Sequence, residues 1–280
     1  MIARSLKKSI PYVILIAITL PIILMYVWLF MSSFATRTEG LKPLGFTLSN
    51  WQFLFGWTSA WRRDYPSVWE ATLNTFIFAA TVSVAEVAVA AATGYALSRL
   101  RFRGRKAFLG LTLVLHAFPS VTLLIAIFFI LRALKLYGTM IGVIMVKVAL
   151  DLPFGIWTMK GFFDLVSWDI EMSALIDGCS RLRTWSQIVL PLIRPGIAAL
   201  SIFTFLSGWS EFLLPYIFIP RFDNWTLSVL LKNLIGDFRF IDYGLVTAVG
   251  LFYMVPVLIF YGFTQQYLLS IYTGGVKGGA

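Results

Sequence analysis

Long runs of apolar residues constrain the fold of this chain more than any other feature of its sequence. A helix rises about 1.5 Å per residue, so about 20 apolar residues cross the roughly 30 Å hydrocarbon core of a bilayer. Six runs are long enough, and they predict spans at residues 10–31, 70–97, 107–131, 139–162, 195–218 and 243–266. The chain is 59% hydrophobic and 13% charged, whereas soluble domains are ~45–50% apolar and ~25% charged. We therefore predict an all-α membrane protein with six transmembrane helices in a single domain, residues 1–280.

The distribution of Lys and Arg predicts the orientation of these spans. Five cations lie among the nine residues from Ser98 to Lys106, and such a dense group resists translocation across a membrane. With both termini in the cytoplasm, the inner segments contain 12 Lys and Arg and the outer segments contain 9. The net charge of +10 lies at the ends of the apolar runs and forms no dense patch, which argues against nucleic-acid binding. We expect cytoplasmic termini.

Several kinds of chemistry lack the residues that they need. No G-x4-G-K-[ST] motif is present to hold nucleotide phosphates. The single histidine, His116, excludes a His-based zinc site and a His-centred triad, and the single cysteine, Cys179, excludes an intrachain disulfide. We predict that the chain is not an enzyme and has no metal site and no cofactor of its own.

The longest predicted inner segment has the pattern of two short amphipathic helices. Asp169 is a candidate N-cap of the first helix, and Gly178 lies where this helix should end, because glycine adopts a left-handed backbone at little cost. A second helix is predicted over residues 181–189, with Pro191 ending it. Apolar side chains recur at helical spacing along both, at Met172, Leu175, Ile176, Leu182, Trp185 and Ile188. Such a pair suits docking in a groove on a cytoplasmic partner.

The same segment resembles the EAA loop of ATP-binding-cassette (ABC) importer permeases, E-A-A-x3-G-x9-I-x-L-P. Met172 stands where that motif has its Glu, and Ser173 stands where it has an Ala, so the neighbouring Glu171 is a candidate for the acidic role. The resemblance implies that residues 169–191 form a coupling segment that contacts an ATPase. The residues implied in this coupling are Glu171, Ser173, Ala174, Asp177, Gly178, Ile188, Leu190 and Pro191.

Four further stretches resemble permeases of the maltose type, and together with the EAA segment they cover residues 70–278. They are YALSRLRFRGR at 95–105, PFGIW at 153–157 with GFF at 161–163, GWSEF at 208–212, and QQYLLSIYTGGVKG at 265–278. Ser210 takes the place of the usual Asn in the third. The chain is similar to the smaller permease subunit of carbohydrate-uptake ABC importers, which implies the type I importer permease fold.

This resemblance implies a function and a set of partners. The chain would form half of the path of a sugar, oligosaccharide or polyol across a bacterial or archaeal cytoplasmic membrane. The implied partners are a second permease subunit, two ATP-binding cassette subunits that hold ATP and Mg, an extracytoplasmic solute-binding protein, and membrane lipid. A non-sugar cargo such as a glycerol phosphate, an amino acid or a peptide stays open, because specificity often resides in the other components.

Two other classes of membrane protein fit the sequence less well than an ABC importer permease. An ion-coupled secondary transporter is disfavoured because the first three and last three spans show no internal repeat. A membrane enzyme would need clustered carboxylates near one membrane face. One such cluster is found, Asp164, Asp169, Glu171 and Asp177, and the EAA register explains it better than catalysis does.

Ionisable residues within the predicted spans are candidates for the solute path, since a charge in hydrocarbon is costly. Glu86, Glu211 and the aromatic Trp209 are the candidates. For Glu86 we favour helix packing or pairing over solute contact, whereas for Glu211 the two alternatives are balanced. Lys147 and Asp151 lie four residues apart on one predicted helix and could pair with each other.

The outer segment 219–242 is long for a loop between two membrane helices and rich in aromatic and polar residues. We predict that it contacts the binding protein through Asp223, Asn224, Trp225 and Asn233. The alternative is an interfacial segment, in which Trp225 and Phe238 lie at headgroup depth.

Overall fold

Four long helices dominate the computed structural model, which describes residues 2–56, 65–236 and 241–274. Each is long and apolar enough to cross a bilayer, and they coincide with the first, second, fourth and sixth predicted spans. They are α1 (Ile2–Ser33), α2 (Val68–Arg99), α5 (Met140–Asp164) and α12 (Tyr243–Gly274). The third and fifth predicted spans are interrupted, and the number of spans rises from 4 to as many as 6 when bent helix pairs are counted as single spans.

The third predicted span, 107–131, is bent near its middle. α3 (Arg105–Ala117) and the stretch Ser120–Ala133, which contains α4 (Leu124–Ala133), meet at 93°. Pro119 lies between them, and it both lacks an amide hydrogen and disfavours a helical backbone at the residue before it. Phe118 is accordingly extended, with φ −78° and ψ 127°.

The fifth predicted span, 195–218, divides into α9 (Arg194–Trp209) and α10 (Leu213–Phe218). Pro215 explains the break, because it has no amide hydrogen to give to the carbonyl of Glu211 four residues earlier. The hydroxyl of Ser228 donates to that carbonyl instead, at 2.8 Å. At its other end, α9 meets the helical stretch Arg181–Leu192 at 76°.

Shorter helices fill the segments on either side of α9 and α10. Before α9 come α6 (Trp168–Ile176), α7 (Arg181–Thr184), a π-helical turn at Trp185–Val189, and α8 (Leu190–Leu192). After α10 come a 3-10 turn at Phe222–Asn224 and α11 (Leu227–Ile235), so the segment 219–242 is largely helical rather than a plain loop. Phe238 lies outside the described residues.

The chain divides into two structural units, of which the first comprises Met1–Trp69 and Leu230–Pro256. Its strands β1 (Arg37–Glu39) and β2 (Lys42–Leu44) form a short antiparallel hairpin. The Asn50 side-chain amide donates to the carbonyls of Ser33 and Ala35, at 3.1 and 2.9 Å, which fixes the chain beyond α1. In contrast, the span Pro11–Ser33 of α1 has none of its most apolar stretch buried, so it needs lipid or another apolar surface around it.

The second unit comprises Glu70–Val229 and Val257–Ala280. Two glycines let its helices approach closely: a Cβ at Gly94 of α2 would lie 2.9 Å from the amide nitrogen of Lys160 in α5, and a Cβ at Gly208 of α9 would lie 2.9 Å from Cα of Ala79 in α2. One apolar cluster consists of Phe78, Val82, Ile127, Leu131, Val143, Ile144, Leu214, Phe218 and Ile219. A second consists of Ala90, Ala91, Leu97, Ile156, Met159, Phe163, Val189, Ile193 and Leu200.

Candidate functional site

The N-cap of α6 is Ser167, which corrects the expectation that Asp169 caps this helix. The Ser167 hydroxyl accepts the amide hydrogen of Asp169, at 3.2 Å. Asp169 therefore lies in the first turn, where its carboxylate accepts from the same hydroxyl. Serine serves well as an N-cap, and an acidic group in the first turn faces the positive end of the helix dipole.

Gly178 ends α6 in the left-handed conformation that its sequence position predicts, with φ +85°. The amide of Cys179 donates to the carbonyl of Ala174 at 3.0 Å, and the amide of Gly178 donates to that of Leu175 at 3.2 Å. These two bonds form a Schellman motif. The direction in which the chain leaves α6 is thus fixed by backbone hydrogen bonds around one glycine.

Pro191 does not end the second helix of the coupling segment, which corrects the expected end before residue 191. Helical structure continues from α7 through the π-helical turn and α8 to Leu192. Pro191 therefore lies inside a continuous helical stretch, where it has no amide hydrogen to donate, and the turn just before it is π-helical.

Glu171 is buried, and it joins α6 to the end of α2. Its Oε2 lies 2.9 Å from Nε of Arg99, with both side chains less than a tenth exposed. The two atoms are ion-paired although they are not aligned for a hydrogen bond. The Tyr95 hydroxyl donates to Oε1 of Glu171 at 2.6 Å. The Arg99 guanidinium also donates to the carbonyl of Val166 at 2.6 Å and covers the ring of Trp168.

The outer face of the coupling segment is exposed and combines apolar with polar and charged side chains. Ile176 and Leu182 are 84% and 72% exposed, and Leu165 just before the segment is 82% exposed. Ser173 and Asp177 are also exposed, whereas Ala174 is buried on the inner face and Ile188, Leu190 and Pro191 are half-buried. The buried groups attach the segment to the helices of its own unit, and the exposed groups form a surface available to a partner.

Lys147 is the centre of a buried ion cluster that we call the Lys147 triad (Lys147, Asp151 and Glu211). Its Nζ lies 3.0 Å from Oδ2 of Asp151 and 2.9 Å from Oε2 of Glu211. The pairing of Lys147 with Asp151, which their spacing of four residues predicts, is present. Glu211 is also bound to the start of α10, because its Oε1 accepts the amide hydrogen of Leu214 at 3.2 Å. Both carboxylates are therefore occupied within the chain.

Glu86 lines a cavity of about 240 Å³ in the second unit, which we call the Glu86 cavity. The side chain is 0% exposed, and neither carboxylate oxygen has a hydrogen-bond partner among the described residues. The sequence favours packing or pairing for Glu86. No hydrogen bond among the described residues pairs it, and small residues surround it: a Cβ at Gly155 would lie 2.9 Å from Oε1 and 3.1 Å from Cβ of Ala90. The other residues lining the cavity are His116, Asp151, Phe154, Phe203, Thr204 and Ser207.

Trp209, the third residue predicted for the solute path, is 2% exposed and stacks on Phe205 at a centroid distance of 6.0 Å. It does not line the Glu86 cavity. The structure thus separates the three predicted residues: Glu86 faces a cavity, Glu211 is ion-paired, and Trp209 packs in the core.

The outer segment is bound to α2 through Asn74, whose side-chain amide donates to the carbonyls of Asp223 and Trp225 at 2.9 and 3.2 Å. Trp225 is 7% exposed, and its ring packs edge-on against Phe222. Asp223 is exposed and paired with Arg221 at 2.8 Å, and this guanidinium holds the pKa of the Asp223 carboxyl below its usual value. Asn233 accepts the Tyr65 hydroxyl at its carbonyl. Among the described residues of the segment, the longest exposed run is Pro220–Asp223, which includes the start of the turn Phe222–Asn224.

Several residues of these sites were not identified from the sequence. Tyr95 and Arg99 lie four residues apart in the YALSR stretch, and this spacing was a signal that both face one neighbour. Ser207, Thr204 and Phe154 carry no local signal. Their role depends on which faces of α5 and α9 meet α2, and this is set by packing.

Comparison with known proteins identifies related permeases. The sequence model described as "Binding-protein-dependent transport system inner membrane component" matches residues 87–268. The "Diacetylchitobiose uptake system permease protein NgcG" of Streptomyces coelicolor is 31% identical over 92% of this chain and 85% of its own length. The "Maltodextrin transport system permease protein MdxG" of Bacillus subtilis is 28% identical over 99% and 98%.

Two further relatives extend the comparison. The "Putative ABC transporter permease protein ORF1" of Streptomyces antibioticus is 32% identical over 74% of this chain and 90% of its own length. A chain from the "Crystal structure of a bacterial ABC transporter involved in the import of the acidic polysaccharide alginate" superposes with a TM-score of 0.73 over 93% of this chain and 97% of that one, at 20% identity. The match to the alginate importer chain shows a shared fold. The predicted resemblance and fold class are confirmed.

Proposed function

The chain belongs to the family of binding-protein-dependent transport system inner membrane components, and we propose that it forms half of a translocation path for a sugar, oligosaccharide or polyol. As an ABC importer permease it is a multi-pass membrane subunit of a transporter. The carbohydrate cargo is supported by the names of relatives that carry diacetylchitobiose, trehalose and maltodextrin. Maltose-type matches in four separate stretches of the sequence support the same cargo.

In this proposal the chain works with three kinds of protein partner. A second permease subunit completes the path, two ATP-binding cassette subunits bind ATP and Mg, and an extracytoplasmic binding protein delivers the solute. ATP hydrolysis belongs to the cassette subunits, because the chain has no motif for holding nucleotide phosphates. Both termini are cytoplasmic, in keeping with the five cations between Ser98 and Lys106.

The coupling segment carries this proposal. Its exposed apolar side chains Ile176 and Leu182 lie among exposed polar and charged ones, a mixed surface that suits contact with a protein partner. Its inner side is fixed to α2 through the buried pair of Glu171 and Arg99, so a displacement of the segment moves the helices of this unit with it. Domain closure in a docked ATPase dimer would then be transmitted to the spans as rigid-body motion. Glu171 takes an anchoring role in this scheme, rather than contacting the ATPase.

The test is reconstitution of the complete importer with its binding protein in proteoliposomes. ATP hydrolysis and uptake are measured with the binding protein loaded in turn with maltose, trehalose, N,N′-diacetylchitobiose, glycerol 3-phosphate or glutamine. We expect at least one of the sugars to stimulate hydrolysis and to accumulate. Stimulation by glycerol 3-phosphate or glutamine alone would overturn the carbohydrate cargo, and failure of the chain to co-purify with cassette subunits would overturn the partner scheme.

A further inference from the structure

We infer that the Glu86 cavity is a subsite at which this chain itself holds one ring of a neutral sugar or polyol during transport. The inference rests on the proposed function, because it concerns the same cargo. It adds the place of contact and assigns this contact to Glu86 and its neighbours rather than to Glu211 or Trp209. The residues that carry it belong to α2, α3, α5 and α9 of the second unit.

The first support is the unmet need of Glu86 for a partner. Its side chain is 0% exposed, and both oxygens lack a hydrogen-bond partner among the described residues. Native structures rarely leave such a buried polar group unsatisfied, so its partner should come from outside the chain. Lys147, a cation on the same helix as Gly155, is already bound by Asp151 and Glu211. A hydroxyl group of a ligand can donate to a carboxylate oxygen at this position.

The second support is the chemistry of the other polar groups. The Ser207 hydroxyl donates to Oδ2 of Asp151 at 3.1 Å, and the Thr204 hydroxyl donates to that of Ser83 at 2.8 Å. Each hydroxyl oxygen keeps an acceptor lone pair for a ligand. Hydrogen-bond acceptors thus predominate on the wall of the Glu86 cavity, and such a wall suits a ligand rich in hydroxyl donors. No group of three or more metal-ligating side chains occurs in the described ranges, so the lining does not resemble a metal site.

The third support is the combination of aromatic rings with a small volume. The rings of His116 and Phe154 stack at a centroid distance of 6.2 Å, and Phe154 and Phe203 are about half exposed at the rim. Such rings give an apolar surface for the C–H face of a sugar ring. The volume of about 240 Å³ is below the roughly 300–1,000 Å³ of sites for drug-sized ligands. It therefore suits one ring rather than a whole oligosaccharide.

Packing alone does not account for this arrangement. An unpartnered buried acid and a glycine inside a helix both reduce stability, and here Gly155 leaves the space that the Glu86 carboxyl occupies. A site that retains two destabilising features has the character of a functional site, because binding requires groups that the fold alone does not.

The experiment compares Glu86→Leu with Glu86→Gln in the complete importer in proteoliposomes. The probe is whichever of maltose, trehalose and N,N′-diacetylchitobiose the wild-type importer accumulates. For Glu86→Leu we expect the KM for uptake to rise roughly tenfold or more, as for loss of one hydrogen bond to a charged group. For Glu86→Gln, which keeps hydrogen-bonding capacity, we expect a rise of at most a few-fold. The melting temperature of Glu86→Leu should equal or exceed that of the wild type.

Controls separate the possible failures. Glu39→Gln makes the same chemical change at an exposed carboxylate of the hairpin and should leave uptake unchanged. Equal KM values for Glu86→Leu and the wild type would overturn the subsite, as would a loss of uptake that parallels a loss of stability. If Glu86→Gln is as impaired as Glu86→Leu, a cation rather than a sugar hydroxyl occupies the cavity. A wild-type importer that accumulates none of the three sugars would instead contradict the proposed function.

Discussion

At the scale of single residues, two buried acidic groups have opposite environments. Glu171 is enclosed by Arg99 and Tyr95, whereas Glu86 faces a cavity without a hydrogen-bond partner. A paired buried charge holds the structure around it, because removing one partner leaves the other uncompensated. An unpaired buried acid has no such structural use. The same residue type therefore fixes a helix position in one place and offers a binding group in the other.

The Glu171 pair leads to the first prediction. Replacing Glu171 with Ala should destabilise the subunit by about 3 kcal/mol, because Arg99 then stays buried without its partner. Binding-protein-stimulated ATP hydrolysis should fall with it, since the coupling segment loses its attachment to α2. The measurements are thermal unfolding in detergent and hydrolysis by the complete importer.

Asp169→Ala provides the control for this prediction, because Asp169 is an exposed acid on the same helix. It should change stability by less than about 0.5 kcal/mol. If Glu171→Ala is as stable and as active as Asp169→Ala, the anchoring role of the buried pair is wrong.

Gly178 gives the second prediction. A β-branched residue at φ +85° should cost about 1–2 kcal/mol or force the turn to open. We expect Gly178→Val to keep ATP hydrolysis but lose its stimulation by the loaded binding protein. Gly161→Val is the matched control: this glycine lies in helix α5 with open space around it, and it should stay coupled. Normal stimulation of Gly178→Val would contradict the prediction.

At the scale of helices, close approach between α2 and α9 depends on the absence of a side chain at Gly208. An added Cβ would meet the backbone of Ala79, which cannot rotate away. Overpacking of this kind costs about 1–3 kcal/mol. The contact also fixes which face of α9 meets α2, and thereby places Thr204 and Ser207 on the wall of the Glu86 cavity.

The third prediction follows from this contact. Gly208→Ala should lower the melting temperature of the subunit and its yield in complex with partners, measured after detergent extraction. Gly250→Ala on α12 is the control, because nothing lies within 4 Å of a Cβ built there. Equal stability of the two variants would show that α2 and α9 can separate without cost.

The outer segment gives the fourth prediction, which concerns its exposed turn. α11 contributes buried side chains such as Leu227 and Leu230, so shortening the segment would remove core residues as well as loop. Asp223→Asn changes only an exposed side chain of the turn and leaves Phe222 packed against Trp225. We expect weaker stimulation by the loaded binding protein while assembly and basal hydrolysis persist.

Leu230→Ala is the comparison for this turn variant. It should lower assembly by leaving a cavity, at a cost of about 2–5 kcal/mol. Unchanged stimulation in the turn variant would exclude the turn from binding-protein contact. A loss of assembly in that variant would favour the interfacial alternative.

At the scale of the whole molecule, orientation in the membrane is tested by the fifth prediction. Single cysteines at Gly278 and at Gly40 of the hairpin are introduced in a Cys179→Ser background and exposed to a membrane-impermeant thiol reagent. The positive-inside distribution predicts labelling of Gly40→Cys in intact cells and labelling of Gly278→Cys only after permeabilisation. The reverse pattern would invert the orientation. Gly278 lies outside the described residues, so its exposure is an expectation from the sequence.

The sequence alone determined the membrane class, the family and the turn at Gly178. These depend on local properties: apolar length is set by bilayer thickness, and the left-handed backbone at Gly178 is set by the lack of a Cβ. Pro119 and Pro215 also interrupt their helices through local effects on the backbone. A proline in a sequence does not, however, distinguish a kink inside a span from a full break. Whether a broken helix is stable depends on distant groups, such as the Ser228 hydroxyl that satisfies the carbonyl of Glu211.

Only the tertiary structure decided which group each buried acidic side chain faces. Glu86, Glu171 and Glu211 look alike in a sequence, since each lies near apolar neighbours. Their environments separate when the helices pack: Arg99 of α2 faces Glu171 of α6, Lys147 of α5 faces Glu211 between α9 and α10, and Gly155 of α5 faces Glu86 of α2. Partners 64 to 72 positions away are chosen by helix packing, which no local pattern records. The effect of a buried charge depends on its partner, and that partner is fixed only when the helices pack.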